Sequence, residues 1–537
     1  MENMVFKRKI YSQMAEWKEI SKGSTALLVE GARRIGKSTI VEEFAKNEYE
    51  SYILIDFNEA SKEVKALFDD LMNMDFIFLF LQNAYNKTLH ERKSVIIFDE
   101  VQQCPKARQA IKYLVKDGRY DYIETGSLIS IHKSTKDISI PSEEHRIEMF
   151  PMDYEEFRWA MGDTASVPLL RQVFDKKISL GEGVNRLKMR ELRLYMLVGG
   201  MPQAVNVYLN TNNLQQVDTV KRQILQLYAD DFRKIDPSGK ISKLFMSIPA
   251  QLSRNQLRYQ PTSAVGRMAA EKIDELILNL EDSKTVNIAY HTDDPNVGMP
   301  LTANINKYKL YIGDTGLFVT LAFWDKDYTE NIIYQKLLSD KLSTNMGYVF
   351  ENLVAQMLRA SGNKLFYYTF PKDATHSYEI DFLLSRGSKL CPIEVKSSGY
   401  KTHASLDAFC QKFSDRIVHL YLVYTKDLQK DGKTLLVPIY MPPILIKQEW
   451  RVCHKPHPIR PVFCQHYPGR SPGLRAFGLS ARPRLPLFRL MTHPPSDNLA
   501  KHNVFFYCTF APQLGDKKHH LVSENLMLRP KSCVVVG

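Results

Sequence analysis

Apolar residues recur along this chain in two rhythms, and the changes of rhythm mark its predicted elements. Phe6, Ile10, Met14 and Trp17 lie at helical spacing and predict a lead-in helix within residues 1–22. Ala26 to Val29 is a short apolar run suited to a strand buried on both faces, and Ile40, Val41, Phe44 and Ala45 then return at the helical period. Runs at 52–57, 94–98 and 120–127 predict three more strands, with helical patterns at 61–73, 75–90 and 106–117 around them. Residues 145–150 read as a further strand, stopped by Pro151. Strands alternating with helices predict a parallel α/β sheet with ligands at the strand C-termini, here a domain spanning 1–160.

From 154 to 235 the pattern is helical, broken at Gly199-Gly200-Met201-Pro202, where the glycines end one helix and the proline can start the next. An all-helical lid is expected at 161–238. Residues 239–315 read helix, strand, loop, strand, with Ile273, Leu276, Ile277 and Leu280 on one helical face and Lys307 to Ile312 alternating as a strand. That order predicts a winged-helix segment. Residues 316–448 add a long helix at 346–358, strands at 378–384 and 390–397, and a closing apolar stretch at 437–445, the outline of a smaller α/β domain.

Chemistry sits on this framework in two places. Gly31, Gly36, Lys37 and Ser38 fit G-x-x-x-x-G-K-[ST], the phosphate-binding loop of a P-loop NTPase. Its glycines let successive N–H groups point into one concavity, and the following helix turns its positive end toward the same phosphates. Lys37 is expected to reach the β- and γ-phosphates of ATP and Ser38 to ligate Mg²⁺, with Arg34 and Thr39 also contacting the nucleotide. Asp99 and Glu100 end an apolar strand; Asp99 would hold the water shell of Mg²⁺, and Glu100 would orient and deprotonate the attacking water. Thr125 or Ser127 would lie beside the γ-phosphate, a plain strand-to-loop turn being the alternative. Arg146 is nominated for transition-state charge, in cis or across the subunits of a homo-oligomer, with a surface salt bridge as the competing reading.

The second place is 341–448. Along 390–397, Ile393 and Val395 face one way and Glu394 and Lys396 the other. If the strands at 378–384 and 390–397 are neighbours, Asp381 and Glu394 converge on a divalent cation and Glu351 completes the carboxylate cluster. Lys396 would then activate a metal-bound water or steady a phosphorane, as in a nuclease. An exposed face carrying a Glu–Lys salt bridge is the alternative. The 14 basic and 9 acidic residues of this region suit DNA without demanding it. The predicted helix at 271–284 argues the other way for its own segment, since Glu271, Asp274, Glu275, Glu281 and Asp282 would be repelled by phosphates. A protein partner is expected there.

Composition changes this picture mainly at the C-terminus. The net charge of +12 is concentrated in residues 449–537, whose 13 basic and 4 acidic residues carry +9 and leave +3 for the rest. That tail also holds eleven of the 26 prolines and loses hydrophobic periodicity, so it reads as disordered, out of frame or foreign to the fold. Cys453, His457, Cys464 and His466 are spaced too irregularly to read as a zinc site. Seven cysteines without a C-x-x-C pair argue against a disulfide framework. With neither an apolar run of membrane-spanning length nor a secretory h-region, the expected location is cytoplasmic, with no membrane partner.

Taken together, Gly31 to Thr39, Phe98 to Glu100, Thr125 to Ser127, Pro151 to Phe157, Gly199 to Pro202, Asp314 to Leu317, Gly347 to Glu351, Glu379 to Phe382 and Ile393 to Ser397 resemble a family of bacterial and archaeal AAA-type ATPases. Its C-terminal domain, of unknown function, is restriction-endonuclease-like, and the resemblance covers about residues 1–445. It implies ATP binding and Mg²⁺-dependent hydrolysis, with Lys37, Ser38, Asp99 and Glu100 in the family's positions. His145 departs from the glycine usual before the arginine. Two functions follow as expectations: an ATPase coupled to a DNA-processing nuclease-like domain, or an ATP-driven switch for a protein partner whose nuclease-like domain is catalytically silent.

Overall fold

The computed structural model describes residues 4–126, 141–338 and 346–442. The tail from 449, Ser127 and the four Cys and His residues weighed as zinc ligands lie outside the described residues. The described residues belong to one compact unit.

Five parallel strands form the first sheet: β1 (Ala26–Glu30), β2 (Ser51–Asp56), β3 (Ser94–Asp99), β4 (Asp121–Gly126) and β5 (Glu144–Glu148), in the order β2-β3-β4-β1-β5. Every residue of β3 and β4 is buried, which explains the apolar run of β3, while β4 buries Asp121, Glu124 and Thr125 as well. Leu27 and Val29 pack with Val41 and Phe44 of the helix Lys37–Glu48, while Ala26 and Leu28 join a second core with Ile111 and Leu114 of the helix Pro105–Asp117. Because β4 lies between β1 and β3, the loops after these three strands open at the same edge.

Helices then run from Tyr154–Ala160 to Leu214–Ile235, as the periodicity predicts, and Lys240–Ser253 adds another. The first is started by a capping box between Asp153 and Glu156. The helix Leu214–Ile235 packs against the helix Thr315–Leu321.

The sequence boundary at 315/316 does not separate two sheets. The predicted winged-helix strands form a hairpin, β6 (Val286–Thr292) with β7 (Ala303–Ile312), but β6 also pairs in parallel with β8 (Leu365–Pro371). One sheet of eight strands results, in the order β12-β13-β11-β10-β9-β8-β6-β7, where β9 is Ser377–Arg386, β10 Lys389–Lys396, β11 Leu420–Tyr424, β12 Gln429–Asp431 and β13 Thr434–Pro438. The hairpin is an edge of the C-terminal sheet because Ala289 to His291 have their remaining hydrogen-bonding edge satisfied by Leu365 to Tyr367. The long helix Gly347–Ala360 packs on β6, β7, β8 and β10. No helix among the described residues is long and apolar enough to cross a membrane.

Candidate functional sites

The loop between β1 and the helix Lys37–Glu48 is shaped by its backbone. Gly36 (φ 90°) and Arg34 (φ 68°) adopt left-handed conformations, and a Cβ on Gly31 would lie 2.3 Å from the carbonyl oxygen of Met149. Lys37 is buried, and its Nζ donates back to the carbonyls of Gly31 and Ala32 at 3.1 and 2.9 Å. Burial pushes its pKa below the usual lysine value, while Glu100 and Asp99 pull it up. A buried ammonium held on loop carbonyls at the mouth of a backbone nest fits an anionic phosphate chain.

The acidic side of the site is assembled by the strand order. Asp99 Oδ1 accepts hydrogen bonds from the hydroxyls of Ser38, at 2.8 Å, and Thr125. The Glu100 N–H donates to Thr125 Oγ1 at 3.3 Å, and the Glu100 carboxylate accepts from Gln102. Glu100 itself sits at φ 53°, a conformation rarely adopted by glutamate and concentrated at functional positions. Lys37, Ser38, Asp99, Glu100 and Thr125 are therefore brought together, with Thr39 next along the same helix. Arg146 is not among them. It stands on β5 opposite Leu28, 42% exposed, with its guanidinium 3.2 Å from Glu144. Leu28 packs into the core on the sheet face away from the phosphate-loop helix, and Arg146, directly opposite in a parallel pair, shares that face.

Residues that sequence patterns did not single out hold the loop from outside. Arg8 donates to the carbonyls of Ile35 (2.8 Å) and Phe150 (2.6 Å), and Arg33 pairs with Asp231 at 2.9 Å. Tyr228 donates to the Arg33 carbonyl at 2.9 Å, so the helix Leu214–Ile235 grips the loop twice. A Cβ on Gly36 would lie 3.5 Å from Pro202 Cγ, which places the Gly-Gly-Met-Pro loop against the nucleotide loop.

Residues 23–158 match a family described as AAA domain. They form an AAA-type ATPase domain. Residues 189–328 and 346–441 match two families described as domains of unknown function, DUF8612 and DUF4143. No curated protein matches the chain. Among solved structures it is similar to the Walker-type ATPase PABY2304 of Pyrococcus abyssi, at 15% identity and TM-score 0.37 over 59% of this chain and 96% of that one. It is similar to the STAND protein PH0952 of Pyrococcus horikoshii, which has a tetratricopeptide repeat sensor, at 12% identity and TM-score 0.23 over 66% and 48% of the two chains. Cdc6p of Pyrobaculum aerophilum matches at 12% identity and TM-score 0.23 over 64% and 98%.

The C-terminal constellation differs from its sequence outline. Strands β9 and β10 are antiparallel neighbours, yet the three carboxylates within 4.8 Å of one another are Glu351, Glu379 and Asp381; Glu394 stands outside this group. Two features explain it. Two steps along β8, from Phe366 to Tyr368, match three along β9, from Leu383 to Ile380, so β9 carries an extra residue beside Asp381. And Cys391, Ile393 and Val395 pack into the main core, which turns Glu394 and Lys396 to the opposite face of β10, where they pair with each other at 3.2 Å. Asp381 Oδ2 instead accepts the Val395 N–H at 2.7 Å, just beyond the last paired residues Phe382 and Ile393.

Lys309 on β7, also unforeseen, pairs with two of the three carboxylates. Its Nζ lies 2.9 Å from Glu351 Oε1 and also pairs with Glu379, and Tyr311 donates to Glu351. Burial raises the pKa of Asp381 well above the carboxylate range, reinforced by Glu351 and Glu379 and opposed by Lys309. Glu379 is likewise raised, chiefly by burial. Lys309 is held well above its ordinary value by Glu351 and Glu379 despite its burial. The period of two offered a signal for Glu379 alone, two residues from Asp381 on the same strand.

Proposed function

We propose that the protein hydrolyses ATP with Mg²⁺ and uses the nucleotide state to control its C-terminal domain. The observation carrying this reading is that Ser38 and Thr125 both donate to Asp99 beside the buried Lys37. Bound Mg²⁺ would supply charge neutralisation of the β- and γ-phosphates. Within the chain, Lys37 exchanges its loop carbonyls for phosphate oxygens, and Ser38 and Asp99 hold the metal side. Thr125 orients Asp99 and the Glu100 backbone, and Glu100 takes the proton of the attacking water.

The route to the C-terminal domain is continuous. Pro202 lies beside Gly36 of the nucleotide loop, and Gly200 N–H donates to Asp314 at 2.6 Å. Thr315 N–H donates to Gln356 Oε1 at 2.8 Å, on the same helix as Glu351. DNA is the proposed target of that domain, on a restriction-endonuclease-like fold, with Glu351, Glu379 and Asp381 the candidate metal ligands.

A second reading, an ATP-driven switch with a silent nuclease-like domain and a protein partner at 239–315, is favoured by Lys309: a buried ammonium already pairs with Glu351 and Glu379. Metal-dependent nicking of plasmid DNA by purified protein, with and without ATP, separates the two. Nicking lost in Asp381→Asn supports the first reading; intact DNA under Mg²⁺ and Mn²⁺ from protein that turns over ATP supports the second. Absence of ATP turnover overturns both.

A further inference from the structure

A cavity of about 520 Å³ opens on the C-terminal sheet, lined by Arg254, Arg258, Lys307, His291, Tyr367 and Thr369 among others, with no carboxylate in its wall. Arg254, Arg258 and Lys307 are exposed and form no ion pair with any described residue. Three cations without ion-pair partners converge on one concavity whose lining holds no acid, which concentrates positive potential there; the neighbouring carboxylate, Asp293, is engaged by His291 Nδ1 at 3.1 Å. His291 adds polarity rather than charge: its Nε2 accepts the Thr369 N–H, and burial, then Lys307, push its pKa below the ordinary histidine value.

The position of this cavity gives it meaning. His291 pairs in register with Tyr367, and Thr369 lies opposite Glu379, so the cavity floor and the carboxylate cluster share one face of the sheet. Tyr367 borders the cavity and has Lys309 Nζ 5.7 Å from its ring. Arg258 also lines a small hollow reaching Lys309 itself. The acids of the helix Ala270–Asp282, which argued against nucleic acid for this segment, do not line the cavity; its cations come from the turn before Pro261 and from β7.

We propose that this cleft binds the phosphodiester backbone of a single nucleic-acid strand and leads it to Glu351, Glu379 and Asp381. At about 520 Å³ the cavity admits a segment of one backbone and cannot enclose a duplex. This deepens the DNA reading above, and rests on it only for where the strand goes.

The test is fluorescence anisotropy of a labelled 20-nucleotide single strand with the full chain in EDTA, so that binding is read without cleavage. Three phosphate contacts predict a salt slope steeper by about 2 than that of Arg254→Gln/Arg258→Gln/Lys307→Gln, and a triple variant at least about tenfold weaker at low salt. Lys307→Gln alone, on an exposed position, should lower the slope by about 0.7. Because binding is read in EDTA, a strand held there by protein that leaves plasmid DNA intact under Mg²⁺ and Mn²⁺ separates failure of the nuclease reading from failure of the cleft. Equal affinity and slope in wild type and triple variant overturn the proposal. So does displacement of the strand by millimolar inorganic phosphate or AMP, which would mark a small phosphate ligand, and so does tighter binding of duplex than of single strand.

Discussion

The Asp314 carboxylate accepts the backbone N–H of Gly200 across 114 residues of sequence, at 2.6 Å, and with its other oxygen accepts the Leu317 N–H at 2.8 Å. The fit is close: a Cβ on Gly316 would lie 2.5 Å from Gly199 Cα, and one on Gly200 would lie 2.0 Å from the Met152 carbonyl oxygen. Asp314→Ala leaves two buried N–H groups without acceptors, at about 1–3 kcal/mol each. A fall of about 2–6 kcal/mol in unfolding free energy is expected from urea denaturation, with Asp314→Asn intermediate.

Lys37 should separate function from stability. Lys37→Met removes a buried ammonium whose partners in the protein are two carbonyls and two nearby acids. ATP turnover should fall by at least about 10²-fold, as for loss of a donor aimed at developing charge. Melting temperature without nucleotide should hold or rise, and the shift induced by ATP should vanish. Differential scanning fluorimetry and a phosphate-release assay read both.

Lys221 carries a pH signature. It is fully buried, donating to the carbonyls of Leu197 (2.6 Å) and Gly316 (3.2 Å), and burial lowers its pKa to about 8 against the upward pull of Asp218 and Asp314. An unfolded lysine titrates near 10.4. Between about pH 8 and 10.4 the unfolded chain therefore binds more protons at this site, and stability rises with pH. The wild type should gain on Lys221→Met across that window and run parallel to it below pH 7, as measured by urea midpoints.

Lys309→Met leaves Glu351, Glu379 and Asp381 without their ammonium. Loss of one partner from a buried ion pair costs about 3–5 kcal/mol. Lys309 lowers the pKa values of Asp381 and Glu379, so without it they rise further and the folded variant holds more protons, and the deficit should grow as pH rises from 5 to 8. If the cluster accepts a divalent cation, millimolar Mn²⁺ should restore the melting temperature of Lys309→Met at pH 8, and Asp381→Asn should abolish that rescue. Isothermal titration of Mn²⁺ gives the stoichiometry.

The nucleotide loop was legible because its chemistry is contiguous in sequence: Gly31 to Thr39 form one turn, and Asp99 and Glu100 end one strand. Strand positions were legible where burial on both faces makes an unbroken apolar run, as in β1 and β3. The C-terminal cluster was not, because an extra residue in β9 is invisible to a period of two, and because Lys309 reaches Glu351 and Glu379 from a strand that sequence order assigned to another segment. Arg8 and Arg33 act on the loop through backbone carbonyls and a distant aspartate, contacts that leave no local pattern.

The pairing of β6 with β8 also says where this chain is divisible. A fragment beginning after Ile312 would bare the β8 edge at Leu365 to Tyr367 and strip Lys309 from three carboxylates, leaving an aggregation-prone ribbon around an uncompensated charge. The smallest portable cassette of the C-terminal half therefore starts upstream of Val286. A recombination event or an expression design that joins it to another protein must carry the hairpin along.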